Sequence, residues 1–121
     1  LIQDNKILLT KRSTIIENGK WCIPGGHMDI GETPEETVRR EIKEETNLEI
    51  KNLKFLAYVD EYIPTLKIHN LPLIFVGNPV GEVKMDNESS EYNWFSKEEA
   101  LKLNLAFKHK DILIKYFNEL K

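Results

Sequence analysis

Between Thr33 and Asn47 the chain carries a helix signal that is orthodox at its start and self-opposing at its end. Thr33 can cap, Pro34 suits the first helical position because its missing N–H would be unpaired there anyway, and Glu36 completes a T-x-x-E capping box. Glu35 before Arg39 and Glu36 before Arg40 are acid-first pairs one turn apart, and Val38 and Ile42 supply an apolar stripe. The last turn then gathers Glu41, Glu44 and Glu45 at i, i+3 and i+4, on one arc of about a third of the helix. Like-charged neighbours at this spacing cost on the order of 0.2–0.5 kcal/mol per pair. Carboxylates at a helix C-terminus also oppose the macrodipole, by roughly 0.3–1 kcal/mol each.

Stability alone favours Lys or Arg in that turn. A divalent cation over the acids removes the conflict, and all-oxygen donors suit a hard ion, Mg²⁺ or Mn²⁺, rather than zinc. The helix alone leaves a second reading open: a solvated glutamate-rich face eased by Arg39, Arg40 and Lys43.

Upstream, Trp21-Cys22-Ile23 reads as a short strand, Pro24-Gly25-Gly26 turns the backbone, and Gly31-Glu32 leads into the cap. Consecutive glycines let main chain approach a ligand closely, and a carbonyl at Gly26 would be a further hard ligand. Gly26, five residues, Glu32, seven residues, Arg40-Glu41-Ile42-Lys43-Glu44-Glu45 and then Leu48 resembles the signature of the Nudix hydrolases. Trp21-x-Ile23-Pro24-Gly25-Gly26 resembles their usual lead-in. The chain departs from that signature at Asn47, where the family has glycine. A left-handed residue just past a helix end meets the demand there, and Asn is the next best after Gly.

Composition bounds what such a motif can belong to. With 121 residues, 40% hydrophobic and 31% charged, a single domain spanning 1–121 with one modest core is expected. The chain opens on Leu1-Ile2, a strand end, so part of the first strand is expected to be missing. Net charge of -3 offers no general attraction to polyanions, which argues against a duplex nucleic-acid binder. One cysteine, no apolar run of membrane-spanning length and no signal-peptide pattern make an intracellular, cytoplasmic protein without membrane partners the expectation. Cys22 reads as a small buried hydrophobe.

The rest of the chain reads as framework. Lys6 to Arg12 is a strand entered by an Asp4-Asn5 turn; Leu53 to Tyr62 is a strand closed by Pro64; Ile63 to Asn70 is a loop. Leu71 to Val76 is a strand terminated by Gly77-Asn78-Pro79. An acidic loop from Asp86 to Glu91 precedes the strand Tyr92 to Phe95, Ser96 and Glu99 cap a short helix, and a second helix runs from about Phe107 to Leu120. Its Ile112, Leu113, Tyr116, Phe117 and Leu120 share one face, and His109 reads as exposed. The order suggests an α/β/α sandwich around a central mixed sheet, and the Nudix resemblance implies the same fold.

The resemblance further implies hydrolysis of a nucleoside diphosphate linked to another moiety, with Mg²⁺ or Mn²⁺ as cofactor and a small-molecule nucleotide as partner, on a monomer or homodimer. It implies metal ligation by Glu41, Glu44, Glu45 and the Gly26 carbonyl, with Glu88 or Glu91 adding a carboxylate from the acidic loop. It implies that Arg12, Gly25, Gly26 and Trp21 face substrate, that Arg40 orients a cluster carboxylate through a bidentate pair, and that Glu32 fastens the loop to the helix. Two relatives of this fold set alternatives: a nucleotide-sensing module without catalysis, and an isoprenoid diphosphate isomerase. The three glutamates disfavour the first, and the single cysteine disfavours the second.

Overall fold

Strand β2, Lys6–Arg12, organises the architecture. Successive side chains of a strand point to opposite faces. Ile7 and Leu9 therefore enter one core with Ala100 and Leu113, while Leu8 enters another with Ile42, Leu48 and Ile50. The computed structural model describes residues 1–85 and 89–119 of the chain. Within it β1 is Ile2–Gln3, β3 Trp21–Cys22, α1 Pro34–Thr46, β4 Glu49–Tyr58 and β5 Glu61–Ile63. A single 3₁₀ turn, Pro64–Leu66, leads to β6 Ile68–Asn70, β7 Leu73–Val80, β8 Ser89–Phe95, α2 Lys97–Leu101 and α3 His109–Glu119.

β2 pairs antiparallel with β1 and β3 in succession and with β8. β4 pairs with β7 and β5 with β6, both antiparallel, and parallel pairing enters through the bridge between Trp21 and Leu105. Asn78 Nδ2 donates to the Ile2 carbonyl at 3.0 Å, tying β7 to β1. Helix α1 packs its Val38/Ile42 stripe on one side and α2 and α3 cover the other, which is the expected α/β sandwich. Fully burying an aliphatic side chain such as Leu8 or Leu48 contributes about 1.5–3 kcal/mol, so each core of a few such residues is sensitive to single truncations.

The Asp4-Asn5 turn has φ of 53° and 60°, the left-handed pair that a two-residue hairpin requires. Other boundaries depart from the sequence reading. The strand read as Leu53 to Tyr62 starts at Glu49, directly after the helix cap, and breaks before Asp60. Ile63 to Asn70 is a hairpin rather than a loop, with Pro64 opening the 3₁₀ turn at its tip. Gly77-Asn78-Pro79 does not end β7, which continues to Val80. A Cβ at Gly77 would collide with Ile50 Cγ2, and the pairing register shifts nearby, between Lys51 and Lys54; the glycine marks close packing inside a strand, not its end. Ser96 and Glu99 form the expected capping box on α2, a short helix that stops at Leu101. The expected Leu120 contact lies outside the described residues.

Candidate active site

Helix α1 is built as its signals require. Thr33 Oγ1 accepts from Glu36 N–H at 3.2 Å, and the Glu36 carboxylate accepts from Thr33 N–H at 3.0 Å. At the other end Asn47 adopts φ 67° and donates its backbone N–H to the Lys43 carbonyl. Its side chain, which a glycine would lack, donates to the Glu82 carbonyl at 3.2 Å, and Lys84 N–H donates to the Thr46 carbonyl at 2.9 Å. The segment following β7 is thereby laced to the end of the helix.

One face of that helix centres on Arg40. Its Nε and Nη2 donate to the two oxygens of Glu32 at 2.6 and 2.9 Å, a fork-to-fork pair. Nη1 reaches Glu41 at 2.8 Å and Glu44 at 3.3 Å, and Nη2 also donates to the His27 carbonyl at 3.0 Å. The bidentate partner is thus Glu32 rather than a cluster carboxylate, because Glu32 approaches from the loop in the guanidinium plane whereas Glu41 and Glu44 rise from Arg40's own helix and meet only one nitrogen. Glu32 also accepts from Asp29 N–H at 2.8 Å and Thr37 Oγ1 at 3.1 Å. Arg40 first, then the Asp29 N–H, holds its carboxyl well below the usual range, at about 2. Arg40 is in turn held in its charged form more firmly than an ordinary arginine, by Glu32 first and Glu41 next.

The acids occupy the predicted arc, but their carboxylates lean in two directions. Glu41 and Glu44 turn to Arg40, and Glu45 Oε2 accepts the Gly25 N–H at 3.1 Å. Among the described residues no three His, Cys, Asp or Glu side chains stand close enough together to hold an ion as placed. Repulsion between like charges and the pull of Arg40 account for that spread. The donor set itself fits a hard divalent cation: it is all oxygen, it lies along one helix arc, and it abuts main chain. A Cβ at Gly26 would overlap the Glu41 carboxylate, so only glycine lets this acid lie against the loop backbone.

Other expected participants are placed elsewhere. Glu91 pairs with Lys11 in the register of β2 and β8, and its carboxylate bonds the Lys11 ammonium at 3.2 Å. Lys11 alternates with Leu8, so Glu91 lies on the sheet face opposite α1 and is not brought to the cluster. Glu88 lies outside the described residues. Trp21 shares the Lys11 face, packs edge-on against Phe95 with ring centroids 5.0 Å apart, and joins the α3-side core, so its ring serves packing in this structure. Arg12 is half-buried at the end of β2. It donates to the Ile16 carbonyl and Thr14 Oγ1 at 3.0 and 2.9 Å and covers the Phe107 ring, bracing the loop that leads into β3. Cys22 is buried, with Thr10 Oγ1 at 3.4 Å, and burial pushes its thiol pKa up.

His109 corrects the sequence reading most plainly. It is half-buried at the start of α3, and its Nδ1 accepts the Ile23 N–H at 2.9 Å, two residues before Gly25. Placement at a helix start, with charged neighbours in sequence, hid it; only the long-range fold shows the contact. Burial, aided by the nearby Arg12 charge and opposed by Glu17, pushes its pKa from 6.5 down to about 4. The folded state then binds no proton between those values while the unfolded chain does, so stability rises with pH across that window. We expect stability to fall by on the order of 2–3 kcal/mol as pH drops from about 6.5 to about 4. His109→Asn, which keeps an acceptor near the Nδ1 position, should flatten the melting temperature over that interval. An unchanged slope in the variant contradicts the assignment.

A family model described as the NUDIX domain matches residues 1–116. The chain is 36% identical over 115 residues to the ADP-ribose pyrophosphatase of Methanocaldococcus jannaschii, covering 94% of this chain and 67% of that protein. It is 31% identical over 93 residues to the NAD-capped RNA hydrolase NudC of Vibrio atlanticus, covering 76% of this chain but only 33% of that one. Among solved structures, the MutT NUDIX hydrolase of Burkholderia pseudomallei superposes with a TM-score of 0.87 at 27% identity, covering 95% of this chain and 91% of the other. The NUDIX domain of Shewanella oneidensis NrtR, solved with ADP ribose, superposes at 0.83 with 23% identity, covering 96% and 78%, a likeness of fold.

Proposed function

The chain belongs to the NUDIX domain family, and on that premise we propose that it is a divalent-metal-dependent pyrophosphohydrolase acting on nucleoside diphosphates linked to a further moiety. Water attacks one phosphorus, the anhydride P–O bond breaks, and the products are a mononucleotide and a phosphorylated remainder or pyrophosphate. The observation that carries the reading is the last turn of α1: Glu41, Glu44 and Glu45 kept together against stability, with Glu41 lying on the side-chain-free face of Gly26.

Glu41, Glu44 and Glu45 would hold the cation, with the Gly26 carbonyl and Glu88 as further oxygen donors. Mg²⁺ or Mn²⁺, when bound, neutralises charge on the phosphoryl oxygens and stabilises the departing phosphate. The residues of the chain orient and move protons. Arg40, fixed in plane by Glu32, sets the Glu41 and Glu44 carboxylates. Gly25 N–H orients Glu45. One carboxylate, from this cluster or Glu88, accepts the proton of the attacking water, and its basicity is set by how far neighbouring negative charges are offset. The Gly25-Gly26 backbone approaches the phosphates, with Arg12 flanking on β2. Asn47 holds the helix end in the left-handed conformation the turn needs.

Similarity to the Methanocaldococcus protein puts ADP-ribose first among substrates to test. The experiment is a panel of ADP-ribose, NADH, nucleoside triphosphates and dinucleoside polyphosphates, each with Mg²⁺ and with chelator. Metal-dependent release of a mononucleotide from a member of the panel is the expected result. Tight binding without release across the panel favours a nucleotide-sensing module and overturns the proposal. A cytoplasmic monomer or homodimer, acting without membrane or duplex nucleic acid, completes it.

A further inference from the structure

Thr37 lies in the first turn of α1 with its side chain buried. Its hydroxyl stands 3.1 Å from the Thr33 carbonyl, the ordinary back-bond of a helical threonine, and equally 3.1 Å from Glu32 Oε1. A hydroxyl has one hydrogen, and an ionised carboxylate accepts it more strongly than a backbone carbonyl already bonded within the helix. The Thr33 carbonyl is so engaged, by the Thr37 N–H at 3.0 Å.

The consequence reaches the acids in two steps. Glu32 Oε1 takes three donors, Asp29 N–H, Arg40 Nη2 and Thr37 Oγ1, while Oε2 takes Arg40 Nε alone. Asp29 belongs to the loop, whereas Thr37 and Arg40 both belong to α1, so the hydroxyl gives the Glu32 carboxylate a second attachment to the helix beside the guanidinium. That plane must match the guanidinium for the fork to close, and the same guanidinium meets Glu41 and Glu44. Valine would fill the same volume without offering the Glu32 carboxylate a donor. A hydroxyl here has a job beyond filling space.

We propose that Thr37 is a positioning residue for hydrolysis, acting through Glu32 and Arg40 on the orientation of Glu41 and Glu44. The inference rests on the proposed pyrophosphohydrolase reading. Its test compares Thr37→Val, Thr37→Ser and Thr37→Ala with the wild-type chain on whichever nucleotide the panel identifies. Thr37→Val should lower kcat about tenfold with KM changed less than twofold, and Thr37→Ser should recover most of that loss. A merely structural role lowers melting temperature without this kcat-specific loss and without rescue by serine. Should Thr37→Val fold poorly, Thr37→Ala against Thr37→Ser makes the same comparison.

A second readout needs no turnover. The Arg40 Nε–H resonance, shifted by its 2.6 Å bond to Glu32, should move and exchange faster in Thr37→Val and return in Thr37→Ser. An unmoved resonance, or a kcat within twofold of wild type in both Val and Ala variants, overturns the proposal. A wild-type chain that cleaves nothing in the panel overturns the hydrolase reading, whereas active wild type with indifferent Thr37 variants overturns this inference alone.

Discussion

Glu45→Gln is expected to lower turnover by at least about a hundredfold, the scale of losing one key electrostatic group in a preorganised site, with the fold intact. The carboxylate is half-buried on the last turn of α1 and accepts the Gly25 N–H at 3.1 Å. Glutamine keeps the shape and an oxygen acceptor for that N–H, so the loop retains its anchor. What it removes is one negative charge of three where the helix dipole already disfavours them, so the variant should melt at or above the wild-type temperature. Loss of turnover with gain of stability is the signature of an acid kept for function. Wild-type-like turnover in the variant contradicts its role in the metal shell.

Arg40→Lys is expected to be nearly as damaging, with turnover down by roughly a hundredfold and, unlike Glu45→Gln, a lowered melting temperature. Charge is preserved, so the experiment isolates the fork. The guanidinium bonds Glu32 through two nitrogens while serving Glu41, Glu44 and the His27 carbonyl. A lysine ammonium is a point charge and cannot hold a carboxylate in plane while bridging to others. The loop between Gly26 and Thr33 should loosen from α1, because Glu32, Asp29 and the His27 carbonyl all contact that residue. Initial rates and a thermal melt check both effects; retention of more than a third of wild-type turnover contradicts the hub role.

How much of this was legible beforehand follows the range of the forces involved. The α1 boundaries and both capping boxes were readable because caps are local: a hydroxyl and a carboxylate three residues apart settle them. Asn47 was readable for the same reason, since a left-handed residue after a helix narrows the choice to few side chains. The sandwich was readable from the order of elements and the Nudix resemblance, but its division into two cores on opposite faces of β2, where one modest core was expected, came from the structure. Contacts made across the fold were not readable. Arg40's choice of Glu32 over a neighbour on its own helix depends on where the loop folds back, and no spacing rule encodes that. Glu91 was misplaced because period-two alternation decides its face only once the β2–β8 register is known. His109 and Gly77 were misread for a related reason: each carries a contact with a residue distant in sequence, Ile23 and Ile50. The acids were recognised as a set, yet which partner each leans on without a cation came from the structure.

A Mn²⁺ titration of the wild-type chain and of the Glu41→Gln/Glu44→Gln/Glu45→Gln variant, followed by the paramagnetic signal of free ion, bears on the central claim without needing any substrate. The account predicts saturable binding to the wild type and at least a tenfold weaker affinity in the triple variant, with both proteins folded. Equal affinity in the two, or no saturable binding to the wild type, contradicts it.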